Sequence, residues 1–325
     1  MLHDLEMRQV YCDTLIELAA EDPRIAIVEA DLMKATGTVP FATRYPERAV
    51  NVGVAEQNLI GVAAGLAADG KIPFAASFAP FTARRPCDQV FISVAYAGLN
   101  VKIVGTAPGV TAEYNGGTHM CFEDVAIMRA IPQMTIISPC DVYELRSALQ
   151  AIAAYQGPVY LQLIRGKMPP VFDEHYSFEI RRAVSIREGS DVLICATGYT
   201  THLAVEAGRI LAEAGINAEI LHLPTIKPLD EKAVLAAART AGCIVTVENH
   251  NIIGGLGSAV AELTAGQYPV PVRRVGVRDQ FGEVGKIPYL VERYRFRPAD
   301  IAAACQEVIQ WKERGYHENS CRRRA

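Results

Sequence analysis

The chain's 325 residues predict an α/β protein built of two consecutive parallel-sheet α/β domains. Three observations carry that prediction. Short apolar runs alternate with longer segments of helical period, the pattern of strands covered on both faces by helices. The length is enough for two separate cores. Residues 167–189 (KMPPVFDEHYSFEIRRAVSIREG) switch to a composition rich in proline and charge, which reads as a connector between two such series. One domain is thus expected at 1–170, a linker at 171–189, a second domain at 190–315 and a tail at 316–325.

In the first domain the strand candidates are IAIVE (25–29), IPFAAS (72–77), VKIVG (101–105), MTIIS (134–138) and PVYLQLI (158–164). All are apolar and too short for helices, and most are β-branched or aromatic in character. Helical segments fill the gaps, near 4–20, 54–68, 86–97, 123–130 and 141–154. A second series runs through DVLICA (191–196), NAEILH (217–222), CIVTV (243–247) and PVRRV (271–275), with helices between. The last helix, near 298–314, opens at Arg297-Pro298, and proline suits a first turn, where an N–H would lack an intrahelical partner.

Composition excludes several classes of function. Half of the chain is hydrophobic, 21% is charged and the net charge is −4, so there is no global basic field for nucleic acid or anionic lipid. The run Arg322-Arg323-Arg324 reads as a solvated tail. The opening residues, MLHDLEMRQ, lack the apolar core of a signal peptide, and no stretch approaches a membrane span. Cysteines at 12, 87, 121, 140, 195, 243, 305 and 321 form neither a CxxC pair nor a metal-ligand cluster. Reduced, inert thiols in a cytoplasmic protein are the expectation.

In open parallel sheets, ligands bind beyond the carboxyl ends of the strands, so the candidates are sought in those loops. In AVNVGVAEQNLIGVAAGLAADG (49–70), Glu56 shares a helix face with Leu59, Ile60 and Ala63. A carboxylate among apolar neighbours is costly unless its proton or charge is used, and burial favours its protonated form. The plain alternative is an acid complementing the helix dipole. Phe78 and Phe81, after the strand at 72–77, either wall a flat apolar slot or pack in the core. The loop TAPGVTAEYNGGTHMCFED offers Gly109, Gly116 and Gly117 for tight turns and His119 and Glu123 for polar chemistry. Asp31 follows the first strand, and Arg8 and Arg165 are candidate anion contacts. ENHNIIGGLG (248–257) opens a helix but lacks the G-x-G-x-x-G spacing, so tight helix–strand packing explains it better than a nucleotide.

Together NVGVAEQN, SFAPF, CDQV, GGTH and ENHNIIGGLGSAV resemble the transketolase family of thiamine diphosphate enzymes, in one order over nearly the whole chain. The resemblance is to the C-terminal half of a single-chain transketolase, a pyrimidine-binding domain followed by the C-terminal domain. The other half would carry a GDG motif and a downstream asparagine that hold magnesium and the diphosphate, and no GDG triplet occurs here. The resemblance therefore implies the small subunit of a split transketolase, active only with a separate diphosphate-binding subunit in an α2β2 assembly. Thiamine diphosphate and Mg2+ are the implied cofactors, with Mg2+ held mainly by the partner and no metal ligand assigned to this chain. The implied reaction moves a two-carbon ketol unit from a ketose or its phosphate to an aldose or its phosphate.

The resemblance also gives residues their roles. Glu56 matches the glutamate that hydrogen-bonds a ring nitrogen of the cofactor's aminopyrimidine and shares a proton with it. Phe78 and Phe81 match the aromatic wall against that ring, and Asp31 matches an acid near the cofactor. His119 matches a substrate-contacting histidine and joins Glu56 as a catalytic candidate. Arg8 and Arg165 match arginines gripping the substrate's terminal phosphate, a task suited to the guanidinium fork.

Four positions depart from the family pattern. Cys87 stands where the cofactor wall has a tyrosine, and Asn115, a substrate-site candidate, stands where an aspartate precedes G-x-T-H. Ala107 replaces a substrate-contacting histidine, and Ala35 replaces a phosphate-contacting serine. Each lost buried hydrogen bond commonly costs ~1–3 kcal/mol. The departures imply a specialised enzyme with a non-standard sugar, unless Lys34 or the partner compensates. Two alternatives share the domain pair: a deoxyxylulose-phosphate-synthase-like enzyme and a 2-oxoacid dehydrogenase beta-subunit-like enzyme, the latter decarboxylating a 2-oxoacid. An alternative of another class is a non-catalytic regulatory or binding subunit.

Overall fold

A computed structural model describes residues 2–314, so the tail expected at 316–325 lies outside the described residues. The strands are β1 (Ile25–Glu29), β2 (Ala49–Asn51), β3 (Ile72–Phe78), β4 (Lys102–Thr106), β5 (Thr135–Ile137), β6 (Val159–Leu163), β7 (Val184–Arg187), β8 (Val192–Ala196), β9 (Ala218–His222), β10 (Thr225–Lys227), β11 (Ile244–Asn251) and β12 (Val272–Val277). They form a seven-stranded sheet ordered β10-β5-β6-β4-β3-β1-β2 and a five-stranded sheet ordered β12-β11-β8-β9-β7. Pairing is parallel except at β10–β5 and β7–β9, both at sheet edges. Every residue of β1, β4, β6 and β8 is buried, as strands sandwiched between helices must be.

The helices form where the period and caps agree. Asp141, for example, accepts from Glu144 N at the start of the helix Val142–Ala154, which buries Val142, Leu145, Ala148, Leu149 and Ile152 along one stripe. The single helix expected at 86–97 is a short α-helical turn, Cys87–Gln89, running into a π-helical stretch, Val90–Tyr96.

Three strands escape the sequence pattern: β2, β7 and β10. Each lies at a sheet edge, pairs on one side only and is too short to leave an apolar run. The segment expected as linker contributes β7, whose half-exposed residues pair antiparallel with β9. The second half of the chain sends β10 across to pair with β5 of the first sheet.

Polar contacts reinforce that junction. His222 Nε2 lies 2.9 and 3.0 Å from the two carboxylate oxygens of Glu144, both residues being fully buried. Burial pushes the Glu144 carboxyl up, but His222 and hydrogen bonds from Cys140 N and the Tyr176 hydroxyl outweigh it and hold it below the usual range. No helix among the described residues is long and apolar enough to cross a membrane.

Candidate active site

Strands β6, β4, β3 and β1 lie side by side and parallel. Arg165, Ala107, Phe78 and Asp31 each sit at or just beyond a carboxyl end of these strands, so one edge of the sheet receives them all.

Glu56 opens the helix Glu56–Ala68 and is 5% exposed, above the fully buried Leu59, Ile60 and Ala63. Its surroundings are not wholly apolar as expected, because Arg85 Nη1 donates to Glu56 Oε1 at 2.9 Å. The same guanidinium lies over the Phe81 ring, 3.9 Å from its centroid. Phe78 and Phe81 meet edge to face with centroids 6.1 Å apart, and the His119 ring stands 5.9 Å from Phe78 and 5.1 Å from Phe81. Three separate segments thus build one aromatic wall with a carboxylate beside it. His119 Nδ1 and the Thr118 hydroxyl are 2.8 Å apart. Cys87, half-buried, opens the following helix.

Arg85 is the site residue that sequence reasoning missed. The available signal was its spacing: four residues after Phe81, in the turn just past the helix Ala79–Ala83, a guanidinium reaches the ring face.

The loop carrying His119 is pinned from the second sheet. Asn249, at the end of β11, accepts from Val110 N at 2.9 Å and donates to Pro108 O at 3.0 Å. Glu113 bends the loop with a φ of 48°, and Gly116 follows at 68°. At Gly117 a side chain would collide with the Gly282 carbonyl. Arg84 pairs with Glu123 at 3.2 Å and donates to Thr118 O at 3.3 Å, tying the loop to the wall's helix.

Four residues before His119, Asn115 lines a second cleft of about 370 Å³ together with Arg8, Arg165, Lys167 and Tyr199. Arg8 donates to Glu6 at 2.6 Å and to the Ala35 carbonyl at 3.3 Å, so the turn bearing Lys34 and Ala35 abuts it. Arg165 makes no side-chain hydrogen bond or ion pair among the described residues, which leaves its charge free for a ligand. The structure therefore brings Arg8, Arg165 and Asn115 together, and one loop joins them to the aromatic wall. Ala107 is 1% exposed and holds a φ of 52°, packed in the core rather than on the cleft surface. Asp31 is exposed, with a φ of 61°, and its N–H donates to Asn51 Oδ1 at 3.0 Å.

Beneath this edge lies Glu29, fully buried at the end of β1. The Thr36 and Thr38 hydroxyls donate to its Oε1 at 2.7 and 2.6 Å, while Oε2 has no partner. Burial pushes its carboxyl up to about 7, against those two hydrogen bonds.

Two other motifs resolve structurally. At 248–257 the chain's own Glu248 carboxylate accepts from Leu256 N at 2.7 Å and Gly257 N at 3.0 Å, filling the helix N-terminus. A side chain at Gly255 would strike that carboxylate, so the glycines serve packing. Cys140, Glu144 and His222 lie close enough to share a metal, but Glu144 is already engaged with His222, Tyr176 and Cys140 N. A thiol and an imidazole do not suit Mg2+, which prefers oxygen ligands. The seven described cysteines are free, and burial pushes the Cys12 and Cys243 thiols up to about 11.

The family pattern of the transketolase pyrimidine-binding domain matches residues 3–170, and that of the transketolase C-terminal domain matches residues 181–301. The chain is 52% identical over 306 residues to the 6-deoxy-6-sulfo-D-fructose transketolase subunit SqwH of Clostridium sp. (strain MSTE9), covering 94% of this chain and 95% of that one. It is 38% identical over 304 residues to an apulose-4-phosphate transketolase subunit of Phocaeicola vulgatus (strain ATCC 8482), covering 93% and 97% respectively. A solved structure described as "Split gene transketolase, inactive beta4 tetramer" superposes with a TM-score of 0.88 at 42% identity, covering 95% of this chain and 99% of that one.

Proposed function

This chain belongs to the transketolase family, and we propose that it supplies the pyrimidine-binding half of a thiamine diphosphate site completed by a separate diphosphate-binding subunit, two copies of each. The observation that carries the reading is the slot between Glu56 and Phe81. Arg85, a flat group with N–H donors, stacks on the ring and donates to the carboxylate there, which is what an aminopyrimidine requires of the same residues. The residues present thus fit the pyrimidine end of the cofactor, and the partner would hold most of the Mg2+ and diphosphate contacts.

When bound, thiamine diphosphate supplies the carbon that takes up and releases the two-carbon unit. Glu56 holds a proton at the ring nitrogen, and Phe78 and Phe81 fix the plane of the ring. His119, at the edge of that wall, hydrogen-bonds the substrate beside the reacting carbon. Asp31 and Cys87 border the cofactor. Asn115, Arg8 and Arg165 hold the far end of the substrate, the arginines by charge-assisted hydrogen bonds to a terminal anion. Ala35, in the turn that abuts Arg8, offers no phosphate-contacting hydroxyl, which fits a donor other than an ordinary pentose phosphate. The relatives' names, which cite a sulfonated ketose and apulose 4-phosphate, point the same way. Free, buried thiols support a reducing, cytoplasmic setting.

The test combines the purified chain with the candidate large subunit from its source, thiamine diphosphate and Mg2+. Circular dichroism of the bound pyrimidine is followed while a panel of ketoses is added, 6-deoxy-6-sulfo-fructose and xylulose 5-phosphate among them. A signal that needs both chains, and is altered by one ketose, is expected. Glu56→Gln is expected to abolish turnover while leaving assembly intact. Tight cofactor binding by this chain alone would overturn the shared site. Carbon dioxide release from pyruvate would move the reaction to the synthase or dehydrogenase class. Full activity of Glu56→Gln would remove the catalytic role.

A further inference from the structure

A second positively charged cleft lies between the edge strand β12 and the helix Pro298–Glu313. It encloses about 420 Å³ and is lined by Arg273, Arg278, Arg293, Arg295, Asp300 and Glu307 among others. Its charges do not balance internally. Arg293 is paired with Glu283 at 3.1 Å, Asp300 with Arg297 at 2.9 Å, and Arg273 faces Glu307 at 3.0 Å. Even Arg273 is imperfectly served, since its buried Nε lacks hydrogen-bond geometry to any partner. Arg278 and Arg295 make no side-chain hydrogen bond or ion pair among the described residues.

Burial and the neighbouring Arg273 and Arg295 charges together lower the Arg278 guanidinium below its usual range, against the pull of Glu307. Arg278 and Arg295 are both exposed, so their unpaired charges are accessible to a ligand. Left-handed backbone occurs beside both: Arg295 itself holds a φ of 59°, and Asp279, next to Arg278, holds 48°. Arg278 also stands just past the carboxyl end of β12, where open α/β sheets present ligands.

We propose that this cleft is a binding site for a small dianion, a phosphate monoester or diphosphate group, held by Arg278 and Arg295 with Arg273 at its base. Two uncompensated guanidiniums match two negative charges, and their planar forks suit phosphate oxygens. The cleft is concave and carries a cluster of arginines rather than being a flat face, which favours a small anionic ligand over a protein surface. Tyr294, its aromatic neighbour, is packed edge to face on Phe122, so the anionic group and not a ring is what is recognised.

Inorganic pyrophosphate and inorganic phosphate are the probes, titrated into the full chain at constant ionic strength made up with chloride. Thermal melting and titration calorimetry report binding. Wild type, R278A/R295A, R278K and R8A/R165A are compared, the last to subtract anion binding at the first cleft. A saturable rise in melting temperature is expected in wild type and R8A/R165A. Binding should weaken about tenfold per arginine removed in R278A/R295A and largely persist in R278K. A shift equal to that in chloride, or unchanged in R278A/R295A, overturns the proposal. So does dissociation of the R278A/R295A assembly with anion binding intact, which would make the cleft a contact between subunits.

Discussion

Glu29 gives the chain a pH dependence whose sign and size follow from its burial. Its carboxyl rises from the usual 4.5 to about 7 in the folded chain. Below 4.5 the group is protonated in both states, and its contribution to stability is fully present. Between 4.5 and about 7 the unfolded chain releases the proton while the folded chain still holds it, so stability falls as pH rises and levels off above the folded value. At ~1.4 kcal/mol per pH unit the whole span is worth about 3 kcal/mol. Glu29→Gln removes the titration and keeps an oxygen for the Thr36 and Thr38 hydroxyls. Its amide nitrogen replaces the Oε2 that has no partner, in the neighbourhood of the equally unpartnered Tyr11 hydroxyl. Urea unfolding of both chains from pH 4.5 to 8 isolates the term, because other carboxylates cancel in the difference. The variant should gain about 3 kcal/mol on wild type across that range. Curves that stay parallel within ~1 kcal/mol would refute the reasoning. The consequence reaches the site, since Thr36 and Thr38 closely follow Ala35, whose carbonyl supports Arg8.

Other perturbations test how the pieces are joined. Glu144→Gln breaks a fully buried pair and should cost ~3–5 kcal/mol in urea unfolding; a loss below ~1 kcal/mol would mean the junction does not depend on it. Asn249→Ala cuts both bonds that pin the loop, and should raise KM for the ketose several-fold while cofactor binding holds. Equal loss of both would show that Asn249 supports the whole fold instead. Arg85→Ala should tighten thiamine diphosphate binding by up to about tenfold, because a half-exposed ion pair and a cation–π contact no longer compete for Glu56 and Phe81. Weaker binding in equilibrium titrations of the assembled enzyme would instead make Arg85 a cofactor contact.

What the sequence discloses about this fold tracks burial. Strands β1, β4, β6 and β8, buried at every residue, are legible as apolar runs, whereas β7 carries Ser185 and Arg187 on an edge and reads as linker. No local pattern announces β10, because its partner lies in the other half of the chain. The same holds in the site. Glu56 is legible because it is an acid at the head of an apolar helix, and Phe78 and Phe81 because they follow a strand. Arg8 and Arg165 look like any surface arginines until strand order and the helix Met7–Glu21 set them on one cleft. Arg85 sits beside Arg84 in an exposed pair, and only the folded ring positions separate their roles, one facing Glu56 and the other Glu123.

The alanines gain a different meaning from their surroundings. Ala35 contributes its carbonyl, not its side chain, and does so by orienting Arg8. The turn therefore acts on the cleft at one remove, through a guanidinium that Glu6 also holds. Ala107 is not a site residue trimmed back to leave room. It is buried in left-handed backbone, its N–H bonded to Leu163 O at 2.9 Å, and an imidazole there would have to displace packed neighbours. Restoring a histidine at 107 would thus disturb the core before it reached a substrate. The polar contact such a residue would give must come from the loop that carries Asn115 and His119, from Lys34, or from the partner subunit. Under the proposed function, Asn249 holds the loop that carries Asn115 and His119, so the second domain would act on substrate choice through its grip on that loop.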